Sequence, residues 1–198
     1  MKFLAALGTA SMRLAVLFCL AVFCTASAEV HLLKSSEFRL FNAIADDPGQ
    51  MRLTLSLDPI LCKVARQRAA DMARRDYFSH INPDGLGPNY LVRRAGYTLP
   101  VFYDSSKTGN NIESILLTTS SPKKALEEWK RSQSHKVHLL GIDLFYQVQT
   151  SIGVGVFPSG RKDNLNYYVF LSAPKNTNLI PPLVILKDPQ GKIIAGTR

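Results

Sequence analysis

The feature that most limits how this chain can fold is a change of hydrophobic period part-way along it. Through the first two-thirds, apolar residues recur at helical spacing. Two runs at residues 147–157 and 166–173 are then rich in valine, tyrosine and phenylalanine, the composition of strands. The polar Pro158-Ser159-Gly160-Arg161-Lys162-Asp163 between them predicts an antiparallel hairpin with a longer loop. Helices first and strands later, with no β-α-β alternation, predict an α+β fold in which helices pack on an antiparallel sheet. Pro181-Pro182 marks the end of the main domain. Beyond it a second small hairpin is expected from residues 183–186 and 192–195 around Lys187-Asp188-Pro189-Gln190-Gly191.

The strongest helix signal is Asp58-Pro59, a capping residue followed by proline at the first helical position. Leu61, Val64, Ala65, Arg68, Ala69, Met72 and Ala73 then trace one stripe, so a helix is predicted to about Arg75. An earlier helix is expected over residues 36–45, with Phe38, Phe41, Ile44 and Ala45 at helical spacing behind a serine cap. A short one is expected over residues 90–95, stopped by Gly96. Another begins at Ser121-Pro122, carries Ala125, Leu126 and Trp129, and is broken by Gly141. Residues 110–117 read as a strand or an irregular extended piece, and residues 98–108 as a loop.

At the N-terminus, Lys2 and Arg13 precede an apolar run at residues 14–23 and then Thr25-Ala26-Ser27-Ala28. This is the pattern of a secretory signal peptide cleaved after Ala28, an uncleaved anchor being the alternative. The expected organisation is therefore a signal over residues 1–28, one domain over 29–174 and a C-terminal extension over 175–198. Removing 28 residues from 198 leaves 170, enough for one domain with its own core. Cys19 and Cys24 leave with the signal, and Cys62 alone remains of three cysteines, so an exported chain must hold together by packing rather than disulfides. With Lys2 and Arg13 gone, 22 basic residues face 15 acidic ones for a net charge of +7. That balance favours anionic partners such as envelope polymers or lipid headgroups. The basic residues fall in scattered pairs with no tract interleaved with aromatics, so nucleic acid is not an expected partner.

Polar groups of the kind that build sites fall in four patches. In Tyr77-Phe78-Ser79-His80-Ile81-Asn82-Pro83-Asp84-Gly85, a tight turn at residues 82–85 presents His80 firmly. The others are residues 110–113, residues 132–138 and Ile152-Gly153-Val154-Gly155-Val156. His135 and His138, three apart, share a helix face and suit either one metal ion or the last carbonyls of a helix. The chain has no HExxH, paired CxxC, Gly-x-Ser-x-Gly elbow or glycine-rich phosphate loop.

The order of these patches resembles the CAP superfamily (cysteine-rich secretory, antigen 5 and pathogenesis-related proteins) in its bacterial SCP-like branch. Residues 57–73 resemble its first long helix, residues 78–85 its histidine-plus-turn motif, and Arg94-Ala95-Gly96-Tyr97 the segment that follows. Trp129 through Leu140 resembles the W-x-x-S-x-x-H-x-x-x-L-L pattern, and Gly153-Val154-Gly155 the G-x-G strand. The resemblance implies an α-β-α sandwich around a central antiparallel sheet, with a cleft where two histidines and two acids meet.

His80 and His135 match the two family histidines, while Asn110 stands where a glutamate is usual and Ser132 where the second acid falls. Glu113 lies three residues beyond Asn110, an odd offset that in a regular strand points to the opposite face, so only a bulge or an irregular path brings its carboxylate into the cleft. The expected reading is an exported, monomeric binding module. Its His80/His135 cleft suits a divalent cation, zinc foremost, with Asn110, Ser132 and His138 lining it. Lipid or anionic envelope components are the expected ligands, and no organic cofactor is expected. One alternative is a metal-assisted peptidase or esterase using His80, Glu113 and His135. A serine hydrolase through Ser132 or Ser134 with His135 as base lacks an orienting acid and an oxyanion element. The third class is a structural envelope-interaction protein.

Overall fold

The computed structural model describes residues 33–175, together with the backbone of residues 186–187 and 193–195. The expected signal peptide and Pro181-Pro182 lie outside the described residues. The elements are α1 (Ser35–Ala45), β1 (Ser56–Leu57), α2 (Pro59–Arg75), α3 (Pro88–Arg94), β2 (Glu113–Thr118), α4 (Pro122–Trp129), α5 (Gln133–Leu140), α6 (Leu144–Gln147), β3 (Ser151–Pro158) and β4 (Asn166–Ala173). Two further strands, β5 (Leu186–Lys187) and β6 (Ile193–Ala195), pair antiparallel.

One four-stranded sheet in the order β1-β3-β4-β2 forms the middle layer. β3 and β4 make the expected hairpin, and β2 pairs antiparallel with the far side of β4. The expectation of an antiparallel sheet holds except at one edge, where β1 runs parallel to β3. The two residues of β1 sit just before α2, and the connection from β1 to β3 runs through every element from α2 to α6, well beyond the minimum length a parallel pair requires.

Alternation along β4 divides the interior into two cores. Tyr167, Val169, Leu171 and Ala173 face α2 and α3, together with Leu61, Val64, Ala65, Ala69 and Met72. Tyr168 and Phe170 face the opposite way, with Ile152, Val154 and Val156 of β3, against Leu40, Ile44, Leu126, Trp129 and Leu139. The result is a helix-sheet-helix sandwich, as the period-2 pattern of strands buried on both faces requires.

The two glycines of β3 explain how tightly α2 sits. A Cβ on Gly153 would come within 2.3 Å of the Leu61 carbonyl carbon, and one on Gly155 within 2.4 Å of that of Ala65. Two residues apart, both glycines lie on the α2 face, so the helix backbone rests directly on the strand.

Capping follows the sequence at some helices and departs from it at others. Asp58 Oδ1 accepts from the backbone N–H groups of Ile60 and Leu61, as the Asp-Pro signal predicts. At α1 no serine caps the helix. Lys34 holds the N-cap position, and its N–H donates to the Glu37 carboxylate at 2.8 Å. Phe38, expected on the buried stripe, is about half exposed, while Leu40 and Ile44 are buried. The helix begun at Pro122 stops at Trp129 and a separate helix starts at Gln133, with Gly141 ending it in the left-handed conformation at φ 61°. Cys62 is buried and unpaired, as expected of a small apolar residue on α2.

Candidate functional site

Arg68 is the hub of the site, and α2 delivers it. It occupies an apolar-stripe position and is 2% exposed, where an arginine persists only if its donors are satisfied. Its Nε donates to Glu113 Oε2 at 2.8 Å and its Nη2 to Glu113 Oε1 at 3.0 Å, a bidentate pair. Nη1 reaches the Tyr77 hydroxyl at 2.8 Å, and Nη2 also reaches the carbonyls of Ser79 and His80 at 2.8 and 3.0 Å. One buried guanidinium thereby ties the backbone of the histidine to the carboxylate that the histidine meets.

The chain reaches His80 through a constrained reversal. α2 ends at Asp76 in the left-handed conformation, φ 52°. Arg75 clamps the following loop through both oxygens of Asp84 at 2.6 and 3.0 Å. The turn predicted at residues 82–85 forms: Gly85 N–H donates to the Asn82 carbonyl, and Asn82 Oδ1 accepts from the N–H groups of Asp84 and Leu86. His80 Nδ1 then donates to Glu113 Oε1 at 2.9 Å, its side chain 39% exposed.

Glu113 arrives by a route that strand parity does not describe. Asn110 Oδ1 accepts from the N–H groups of Ile112 and Glu113 at 3.2 and 2.9 Å, and its Nδ2 donates to the Glu113 carbonyl. These bonds fold residues 110–113 into a turn, and the strand begins only at Glu113. The odd offset from Asn110 therefore imposes no facing. Asn110 itself is exposed and shapes the backbone that sends the next acid inward. Glu113 pairs with Leu171 in the sheet, on the α2 side.

Electrostatics fix the state of the carboxylate. Burial alone pushes Glu113 up, yet the hydrogen bond from His80 and the Arg68 charge outweigh it and hold the group below its ordinary value. Burial likewise disfavours the Arg68 cation, and Glu113 more than restores it, leaving it raised. Oε1 accepts from both Arg68 and His80, and Oε2 from Arg68. A carboxylate so committed orients the imidazole; it is poorly placed to ligate a metal or take a proton. With Nδ1 engaged by the carboxylate, Nε2 is the ring nitrogen left to face a ligand.

His135 stands in the first turn of α5, half-buried, its ring 6.4 Å from that of Trp129. Burial, and then the nearby His80, lower its pKa, so it is neutral at neutral pH. Ser132 and Ser134 bond each other at 3.1 Å and not the imidazole, which leaves the serine-hydrolase arrangement unformed. Among the described residues no three His, Cys, Asp or Glu side chains come together so as to hold a metal ion. His80, Glu113 and His135 therefore do not form a three-ligand centre among the described residues.

His138 requires a correction. Expected to line the cleft beside His135, it is 3% exposed inside the second core. Nδ1 meets the Ser114 hydroxyl at 2.7 Å and Nε2 meets Ser172 Oγ at 2.8 Å. Ser172 donates to Gln149 Oε1 at 2.6 Å, so it accepts from the ring, which places the proton on Nε2 and makes Nδ1 an acceptor for Ser114. Arg52, 4% exposed, donates to the carbonyls of His138 and Leu139 at the end of α5 and to Ser172. Burial, followed by the Arg52 charge, drives the His138 pKa well below its ordinary value. A shift of three residues on a helix rotates a side chain by about 60° and moves it one turn along the axis, enough to separate a rim position from a core one. Arg68, Arg52, Gln149 and Ser172 went unrecognised as polar centres in the sequence; the signal available was Arg68 within an apolar stripe.

Residues 38–172 match the model of the cysteine-rich secretory protein (CAP) family. The chain belongs to that family, and the sandwich is the architecture its resemblance implied. Over 106 residues it is 29% identical to the uncharacterized protein YkwD of Bacillus subtilis, a match covering 54% of this chain and 36% of that one. The chain therefore spans about a third of the length of this relative. Among solved structures it is similar to an outer surface protein of Borrelia burgdorferi, with a TM-score of 0.53 and 22% identity over 71% of this chain and 93% of that one, a likeness of fold. It also matches an extracellular SCP-domain protein of Bacillus anthracis at a TM-score of 0.38 and 25% identity, covering 59% of this chain and 33% of that one. No helix among the described residues is long and apolar enough to cross a membrane.

Proposed function

We propose that this CAP-domain protein is an exported binding module whose His80/His135 cleft takes a divalent cation of zinc type. The observation that carries the reading is the double commitment of Glu113 to Arg68 and His80. A buried carboxylate that holds the Nδ1 proton of an imidazole is the arrangement that raises the basicity of the other ring nitrogen toward a metal. His135, neutral through burial, supplies the second nitrogen. The same commitment weighs against Glu113 in the roles of ligand and general base that a metal-assisted hydrolase would assign to it. Export is supported by the signal-type leader and by the outer surface protein whose fold the chain shares.

Zinc titration followed by calorimetry tests the cleft. Replacing both His80 and His135 by alanine is expected to abolish binding, and Glu113→Gln to weaken it by about 10- to 100-fold, the usual effect of losing an orienting partner. Unchanged affinity in the double variant would remove the proposal.

A further inference from the structure

A concentration of unneutralised positive charge lies away from the histidines, on the outer face of α2. A groove of about 670 Å³ runs there, with Lys34, Lys63, Arg74 and Arg94 among its lining residues. Its acids are already occupied: Asp84 is clamped by Arg75, and Asp71 takes the Tyr77 hydroxyl and lies 3.6 Å from Arg75. The four cations named have no carboxylate partner among the described residues, and each is exposed. Lys34 and Arg74 flank the ring of Phe157, at 6.0 and 5.4 Å from its centroid.

The spacing of these charges indicates the shape of the ligand. Lys63, Gln67, Ala70 and Arg74 stand at i, i+4, i+7 and i+11, all lining the groove and therefore on one helix face. Between the two cations the charged lining residues are already paired, Arg66 with Glu37, Arg68 with Glu113 and Asp71 with Tyr77 and Arg75, beside the neutral Gln67 and Ala70. At 1.5 Å of rise per residue that interval is about 16 Å, too long for one headgroup to bridge. Repeated anionic groups along a chain match it, with Phe157 offering an apolar surface to the uncharged part of a repeat. Arginine's planar array of donors matches two oxygens of a phosphate at once. A nucleic acid would call for several stacking rings, and the groove has one.

We infer that the α2 groove binds a linear polyanion bearing repeated phosphate groups, of the kind found in cell envelopes. This rests on the exported location proposed above and is independent of the histidine cleft.

The test is binding of fluorescently labelled inorganic polyphosphate to the full chain, followed by anisotropy over a range of salt. A Lys63→Gln/Arg74→Gln/Arg94→Gln variant is expected to lose at least about tenfold in affinity and to flatten the salt dependence by roughly one unit of log-log slope per phosphate contact removed. A charge-matched Lys107→Gln/Lys123→Gln/Lys124→Gln variant is expected to lose less than about threefold, since none of these lysines lines the groove and exposed charges out of contact are screened by salt. Equal losses in the two variants would overturn the inference by reducing it to net charge. Tighter binding to single-stranded DNA, or to phosphatidylglycerol vesicles, than to polyphosphate would overturn it in favour of those partners. Loss of polyphosphate binding in the His80→Ala/His135→Ala variant would overturn it by moving the anion to the cleft. Loss of zinc binding there with polyphosphate binding intact is the expected result.

Discussion

Glu113 and Ser114 are neighbours on β2, and they feed two polar networks on opposite faces of the sheet. On the α2 side Glu113 gathers Arg68 and His80; on the α5 side Ser114 gathers His138, Ser172, Gln149 and Arg52. Both networks contain one histidine and one buried arginine. The first contains a carboxylate and opens to solvent at His80, whereas the second is closed, with both ring nitrogens occupied. The difference teaches how one residue type can serve binding in one place and cohesion in another: the histidine that has a free nitrogen is available to a ligand, and the one without is part of the core.

The largest test of this contrast is Glu113→Ala, which strands the Arg68 charge in the interior. A loss of about 3–5 kcal/mol in urea denaturation is expected, the usual result of removing one partner of a buried ion pair. His138→Ala should follow, at about 2–4 kcal/mol, from lost packing against Phe170 and Tyr146 and from hydroxyls left short of a partner. His135→Ala, three residues away, should cost less than about 1 kcal/mol because no hydrogen bond is broken. Equal costs for the two helix histidines would erase the distinction between the open site and the closed one.

Acid separates the networks in sequence. The His138 pKa is depressed in the folded state, so between that value and about 6.5 the unfolded chain binds more protons. Its contribution is full above about 6.5 and is lost as pH falls, by up to about 1.4 kcal/mol per pH unit. Glu113, also depressed, contributes fully above its ordinary value of 4.5 and is lost only below it. Stability measured from pH 7 to pH 5 should therefore decline through the closed network first. His138→Gln should flatten that decline, with a smaller residual slope from His135, whose pKa is lowered in the same direction. The smallest effect is expected from Ser121→Ala, within about 0.5 kcal/mol, because Ser121 makes no side-chain bond at the start of α4.

How much of this was legible depended on whether neighbours in sequence or neighbours in space decided the outcome. The Asp58-Pro59 cap, the turn after His80 and the β3–β4 hairpin are local, and each formed where the residues pointed. The Gly153/Gly155 pattern was readable as a motif, but its cause, the nearness of α2, was not. Strand parity failed at Glu113 because the Asn110 side chain bends the backbone before the strand starts. Helical spacing failed for His138 because α5 enters the second core at its C-terminal end, where Leu139 and Leu140 are also buried. The edge strand β1 was too short to carry an alternation of its own.

Gly153, Leu171 and Glu113 are register partners in one row across the sheet, with α2 lying over that row. Neighbouring strands are about 4.8 Å apart, so the glycine stands about 10 Å from the carboxylate. It nevertheless sets the height at which α2 carries Arg68 toward it. A methyl group at Gly153 would lift the helix by an appreciable fraction of its own thickness, and hydrogen bonds of 2.8 and 3.0 Å have little slack beyond about 3.2 Å. The glycine acts as a levelling shim: an atom that is missing under one turn of the helix keeps the ion pair, and through it the imidazole of His80, in adjustment two strands away.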